Sequence, residues 1–101
     1  MAIGAEYLTS MRHYMRLTSE IHDSELSDLI NAARADLAPG GVLETKVQDE
    51  TDPLIKRAVA TYVKAEFGLD NEDADKYRAS YKEQRNALSL SDDYIAAAQE
   101  G

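Results

Sequence analysis

The chain has 101 residues, no cysteine and a formal net charge of −8, so we expect one acidic domain with neither disulfide bonds nor a thiolate metal site. It has no apolar run long enough to cross a bilayer, and its first residues lack the pattern of a signal peptide. Only 20 of the 101 residues are Leu, Ile, Val or Phe, whereas fifteen are Ala and six are Tyr. A core this thin favours a domain that gains stability by assembling.

Two amphipathic helices are predicted before residue 39, because apolar residues recur there at helical spacing. A break at "LTSEIHD" separates them, with Ser19 or Asp23 as the cap of the second helix. Pro39 and the two glycines of "APGG" predict its end. The apolar face of the first helix is Tyr7, Leu8, Met11, Tyr14 and Met15, and that of the second is Leu26, Leu29, Ile30, Ala33 and Leu37.

Residues 42–50, "VLETKVQDE", show partial alternation of apolar and polar residues and no helical face. We therefore interpret them as an extended loop that has room for a short strand-like stretch. A third helix follows, with Asp52 as its N-cap, Pro53 as its first residue and Gly68 as its stop. Its predicted apolar face is Leu54, Ile55, Ala58, Val59, Tyr62 and Val63.

The fourth helix is expected to begin after Asn71, with a sparse apolar face formed by Ala74, Tyr77, Tyr81 and Leu88. Residues 91–101 are read as a flexible or docking tail that holds Tyr94 and Ile95. The sequence therefore predicts an all-α fold: a small bundle of about four helices in a single domain, 1–101, with one long loop between the second and third helices.

Charge is segregated along the chain. The third helix has three basic residues, Lys56, Arg57 and Lys64, against Glu66, whereas the loop before it is acidic apart from Lys46. Such surfaces are complementary, and they meet either within one chain or between subunits. The sequence leaves both arrangements open.

No catalytic, cofactor-binding or metal site is predicted, and we do not expect an enzyme. "DNEDAD", residues 70–75, fails as a calcium loop, because Asp75 and Tyr81 stand where glycine and glutamate are needed. His13 and His22 are too few for a metal cluster. The acids Asp49, Glu50 and Asp52 are read as solvated loop carboxylates plus a helix cap, not as an acid–base pair.

Three other functions are weighed against these patterns. Asp23-Ser24 resembles the modified serine motif of acyl carrier proteins, but Glu25 stands where that family has leucine. A nucleic-acid patch of Lys56, Arg57 and Lys64, extended by Arg12 and Arg16, is opposed by the overall negative charge. An acidic helical protein-interaction module or DNA mimic stays as the main alternative.

Three stretches in order resemble the gp6-like head–tail connector family of tailed bacteriophages and prophages: "YLTSMRHYMRLTSEIHDSELSDLINAARADL", "DPLIKRAVATYVKAEFG" and "YRASYKEQRNALSLSDDY". The resemblance implies a non-enzymatic adaptor without a cofactor. It implies a ring of about a dozen subunits under the portal protein, in contact with a tail-side completion protein, with DNA passing through without sequence-specific binding. The implied location is the virion, after assembly in the bacterial cytoplasm.

Two surfaces follow as expectations from pattern and resemblance together. The loop and the faces of the third and fourth helices are expected to make contacts between subunits, and the tail is expected to dock on the portal. The residues expected at subunit contacts are Glu44, Lys46, Asp49, Glu50, Lys56, Arg57, Lys64, Tyr77 and Tyr81, and those at the portal are Tyr94 and Ile95.

Overall fold

A computed structural model describes residues 3–39, 41–68 and 72–95. Within these ranges all regular structure is helical, which confirms the predicted all-α bundle. A short 3-10 helix, Glu20–His22, precedes the second α-helix. The α-helices are α1 Ala5–Tyr14, α2 Asp23–Leu37, α3 Glu44–Val47, α4 Pro53–Glu66 and α5 Ala74–Ser89.

Helix α4 is the centre of the bundle, because it packs against both α2 and α5, while α1 packs on α2. Its alanines contribute to this position: Ala58, Ala60 and Ala65 are buried, and their small side chains let neighbouring helices approach closely. Leu54 differs from the prediction, since 49% of it is exposed on the first turn of α4. The described core is Tyr7, Met11, Leu26, Ile30, Ala33, Leu37, Val42, Val47, Ile55, Ala58, Val59, Ala60, Val63, Tyr81 and Leu88.

The ends of α4 follow the predicted signals. The Asp52 carboxylate accepts hydrogen bonds from the backbone N–H groups of Leu54 and Ile55, each at 3.0 Å. Pro53 occupies the first helical position, where its missing N–H has no consequence. Gly68 follows the last turn with φ of 79°, the left-handed conformation that ends many helices.

Helix α1 is also followed by a residue with positive φ, but this residue is not a glycine. Arg16 has φ of 59°, its N–H donates to the carbonyl of His13, and the next N–H, of Leu17, donates to Arg12. This pair of bonds is the Schellman arrangement, which places the residue after the cap in the left-handed region. An arginine there carries a steric cost that glycine does not.

Neither residue predicted as the cap of the second helix has that role, because the N-cap of α2 is His22, without a side-chain hydrogen bond. Ser19 caps the 3-10 helix, since its Oγ accepts from the N–H of Ile21 at 3.2 Å. Asp23 is the first residue of α2, and its two carboxylate oxygens accept from Arg12 Nε at 2.8 Å and Nη2 at 3.1 Å. These bonds lower the pKa of the Asp23 carboxyl below its ordinary value.

The expectation of an extended loop at residues 42–50 is wrong for its centre. Residues 44–47 form the single turn α3, with an acid, Glu44, at its start and a base, Lys46, near its end. One turn is too short to show a helical period in the sequence. It is held instead by burial of Val42 and Val47, which are 3% and 1% exposed.

Candidate assembly surface

Residues 49–52 form a corner that we call the 49–52 corner, and Glu50 joins it to two other segments. The Glu50 carboxylate accepts from the backbone N–H of Gly4 at 3.0 Å and from Arg34 Nη2 at 3.0 Å. Arg34 is only 2% exposed, and its guanidinium lies 5.2 Å from the ring centre of Tyr7. Burial raises the pKa of Tyr7, and the Arg34 charge opposes that rise. Glu50, predicted at a subunit contact, therefore has an internal structural role.

The two aspartates of this corner also have hydrogen-bond partners within the chain. Asp49 accepts from both the backbone N–H and the hydroxyl of Thr51, at 3.0 and 2.6 Å. These bonds lower the pKa of the Asp49 carboxyl. Asp52 caps α4 and also accepts from the Tyr94 hydroxyl. Each of the three acids weighed as a catalytic group thus has a partner that explains its position.

Tyr94 is placed inside the described fold. Its hydroxyl lies 2.9 Å from Asp52 Oδ2, its carbonyl accepts from the N–H of Leu43 at 2.6 Å, and Lys46 Nζ lies 5.4 Å from its ring centre. Burial and the hydrogen bond to Asp52 raise the pKa of Tyr94. Ile95, the next residue, is half-buried. The rest of the predicted tail, residues 96–101, lies outside the described residues.

The three basic residues of α4 lie in different environments. Lys56 Nζ lies 5.6 Å from the ring centre of Tyr7 and 5.9 Å from that of Tyr14, a cation–π arrangement. Lys64 has the same relation to Tyr77 at 5.8 Å. Arg57 is exposed. Of this basic set, Arg57 is the side chain most open to a second molecule.

Tyr81 is buried on the side of α5 that faces α4. Its hydroxyl donates to Asp36 Oδ2 at 2.6 Å, and Arg85 donates to the same oxygen at 2.8 Å. Its ring meets that of Tyr62 edge to face, with centres 5.2 Å apart. Burial and the hydrogen bond to Asp36 raise the pKa of Tyr81. Tyr81, predicted at a subunit contact, therefore has an internal structural role.

The predicted contact residues are spread over several parts of the domain. Glu50 and Lys56 line one open groove of about 600 Å³ beside α1, whereas Arg57 lines a separate groove. Lys64, Tyr77 and Tyr81 lie on the later part of α4 and on α5. Glu44 is exposed on α3. The structure therefore does not bring these residues together as one continuous surface.

Arg34 binds the predicted contact residue Glu50, and the sequence analysis did not identify it. It anchors Glu50 and packs on Tyr7 from a fully buried position. The signal was available, because Arg34 lies four residues after Ile30 and three before Leu37, on the apolar stripe of α2. A charged residue on such a stripe predicts a buried ionic partner.

The other weighed sites receive simple structural explanations. Ser24 is exposed in the first turn of α2, beside an Asp23 that Arg12 already binds. His13 and His22 are both exposed, and the ring of His22 packs edge-on against Phe67 at 5.5 Å. Among the residues described, no group of three His, Asp or Glu side chains is arranged to hold a metal ion. The rejected calcium motif begins at residues 70 and 71, outside the described ranges.

The geometry first defines the class of protein: a small, acidic, all-helical domain in which the acids of the 49–52 corner make packing and capping contacts. Residues 7–95 match the sequence profile of a family described as "Phage connector protein". The chain therefore belongs to the phage connector protein family, a structural family whose members are virion components that associate with phage head and tail proteins. Comparison with curated proteins and with solved structures gave no match. No helix among the described residues is long and apolar enough to span a membrane.

Proposed function

We propose that this chain is a non-enzymatic head–tail connector that forms a ring of about a dozen subunits beneath the portal, extends the DNA channel and joins the head to the tail-side completion protein. The family match across residues 7–95 carries this proposal. The protein would enter the virion after assembly in the bacterial cytoplasm.

The charge of the molecule supports a channel role. A net charge of −8 on an 11.2 kDa chain repels the phosphate backbone, which limits adhesion of DNA as it passes through a ring. The thin core supports assembly for a separate reason, since surface left uncovered in a monomer is available to neighbours. Four large apolar residues, Tyr14, Ile21, Leu54 and Leu90, are between 46% and 79% exposed in the described chain.

The decisive experiment mixes the purified chain with the portal protein of the same phage and examines the particles by electron microscopy. We expect an added ring of density on the tail side of the portal. The control is an equal amount of the chain carrying Leu26→Asp, which places a charge in the core and prevents folding. Bare portal particles in the presence of the folded wild-type chain would overturn the proposal.

We also propose that the end of the chain docks on the portal through Ile95 and residues beyond it. Deletion of residues 91–101 is expected to abolish portal binding while the helical fold remains. That deletion also removes Tyr94, which supports the Asp52 cap, so Ile95→Asp is the sharper variant. Tyr94→Phe, which keeps the ring, is its matched control. Full portal binding by both Ile95→Asp and the deletion would exclude the tail as the docking element.

A further inference from the structure

An apolar groove opens between the start of α4 and the end of α5. It has a volume of about 170 Å³ and is lined by Leu54, Leu88 and Tyr94, with Arg57 supplying positive charge. Leu54 is half-exposed in it, and Leu90, just beyond, is 74% exposed. Apolar side chains gathered in a concave site are the usual feature of a protein contact.

The most exposed large apolar side chain of the described residues lies elsewhere. Ile21 is 79% exposed in the 3-10 helix that precedes α2. The residue before it, Glu20, is also exposed, and Glu25 one turn later is exposed and acidic. Ile21 is thus an apolar projection on an acidic segment, which complements an apolar groove with a positive charge.

The projection and the groove lie at opposite ends of α4. His22, next to Ile21, packs on Phe67 at the end of α4, and Glu25 accepts from the N–H of Gly68. The groove is formed by Leu54 and Arg57 in the first turns of α4. At a rise of about 1.5 Å per residue, the ten residues from Arg57 to Phe67 separate the two sites by about 15 Å. Within one chain they cannot meet.

We infer that Ile21 of one subunit inserts into the Leu54–Leu88–Tyr94 groove of the next, with Glu20 facing Arg57. Two different surfaces of the same chain meet in such a contact, which makes it a head-to-tail contact that closes into a ring when the rotation is right. The inference rests on the proposed ring and names its subunit contact. One side chain in a small groove buries far less than the roughly 1,200 Å² of a stable pair, so the contact acts through repetition around the ring.

The test uses the absence of cysteine in the chain. Ile21→Cys and Leu54→Cys proteins are made separately, mixed under mild oxidation with and without portal protein, and assayed for the disulfide-linked heterodimer by mass spectrometry. The control pairs Leu54→Cys with Ala79→Cys, an exposed alanine on α5 outside the groove. We expect about tenfold more heterodimer from the first pair, because oriented contact concentrates the two thiols. Equal yields from the two pairs, in both conditions, would overturn the inference.

A charge exchange gives independent evidence in the portal assay. Arg57→Glu and Glu20→Arg are each expected to reduce ring occupancy on the portal, and the double variant is expected to restore it. Ile21→Asp is expected to weaken each contact about tenfold or more. Rings formed normally by Ile21→Asp would refute the contact and leave the connector proposal standing. A selective disulfide without any ring on the portal would instead support the contact and refute the connector proposal.

Discussion

The hydroxyl of Tyr94 donates to the carboxylate of Asp52, 2.9 Å away and 42 positions earlier in the chain. The same carboxylate caps α4. The last described turn of the chain therefore binds the residue that caps the central helix. A side chain expected at the portal contributes to the fold of its own domain.

Loss of the Tyr94 hydroxyl tests this link. Tyr94→Phe is expected to reduce the free energy of unfolding by about 0.5–1.5 kcal/mol, and Asp52→Ala by about 1–2 kcal/mol because it also removes the helix cap. In urea denaturation the double variant should lose less than the sum of the two, because the residues share one interaction. Tyr62→Phe is the control for loss of a half-buried hydroxyl elsewhere. Strict additivity would contradict the link.

The buried Arg34 should be the most sensitive charged residue of the domain. Arg34→Ala is expected to cost about 2–5 kcal/mol, mainly because it removes a fully buried side chain and leaves a cavity beside Tyr7, and it also takes the partner of the half-buried Glu50. Arg78→Ala removes an arginine from an exposed pair with Glu66 and Asp75 and should cost much less, because solvent screens that pair. Denaturant midpoints of the two variants measure the difference. Equal losses would mean that Arg34 contributes no more than a surface pair.

The Arg12–Asp23 pair predicts an acid-dependent loss of stability. The pKa of Asp23 is lowered in the folded chain, so its contribution is complete above the unfolded-state pKa of about 4 and is lost as the pH falls through the folded-state value. Asp23→Asn should therefore be less stable than wild type at pH 7, and the gap should close toward a pH of about 2. Asp28→Asn, on the same helix, controls for loss of one negative charge. A gap that stays constant across this range would show that the carboxylate charge is not responsible.

Arg16 offers a stabilising substitution. Arg16→Gly is expected to raise the free energy of unfolding by about 1 kcal/mol, because glycine adopts positive φ without the steric cost of a side chain. Arg16→Ala retains the Cβ atom and should give no such gain, which makes it the matched control. Thermal unfolding of the three proteins compares them directly. A gain in both variants would point to the removed charge as its cause.

The two neighbouring bases of α4 are expected to separate folding from assembly. Lys56→Glu loses the two tyrosine rings, each worth about 0.5–1 kcal/mol, and should lower stability. Arg57→Glu should change stability by about 0.5 kcal/mol or less, because its side chain is exposed, but it should reduce ring formation on the portal. Urea denaturation measures the stability of each variant, and electron microscopy measures its ring formation on the portal. If Arg57→Glu lowers stability and leaves assembly intact, the contact of Arg57 is internal.

Local signals accounted for most of the fold, and long-range contacts account for what was missed. Asp52, Pro53 and Gly68 marked the ends of α4 because caps and stops depend on adjacent residues. The turn α3 depends on burial of Val47 and on the bond from Leu43 to Tyr94, which no local pattern contains. Leu54 was placed in the core because it fits the helical period, but a period gives direction only and does not show where the neighbouring helix ends.

For the predicted contact residues too, the sequence lacked information on long-range contacts. Charge segregation was evident in the sequence, yet it could not distinguish an internal pair from one between subunits. The structure gives Glu50, Lys56 and Tyr81 partners in their own chain, and it leaves Arg57 and Glu44 exposed. Ile21 was overlooked because a lone apolar residue in a turn belongs to no stripe.

The 49–52 corner has a consequence for engineering the chain. Glu50 holds Gly4, and Asp52 holds Tyr94, so the first and last described segments are fastened to the same corner of the domain. Chains whose two ends lie close together tolerate circular permutation and tandem fusion. A circular permutant that links these two segments and opens the chain between two of its helices is therefore expected to keep the fold.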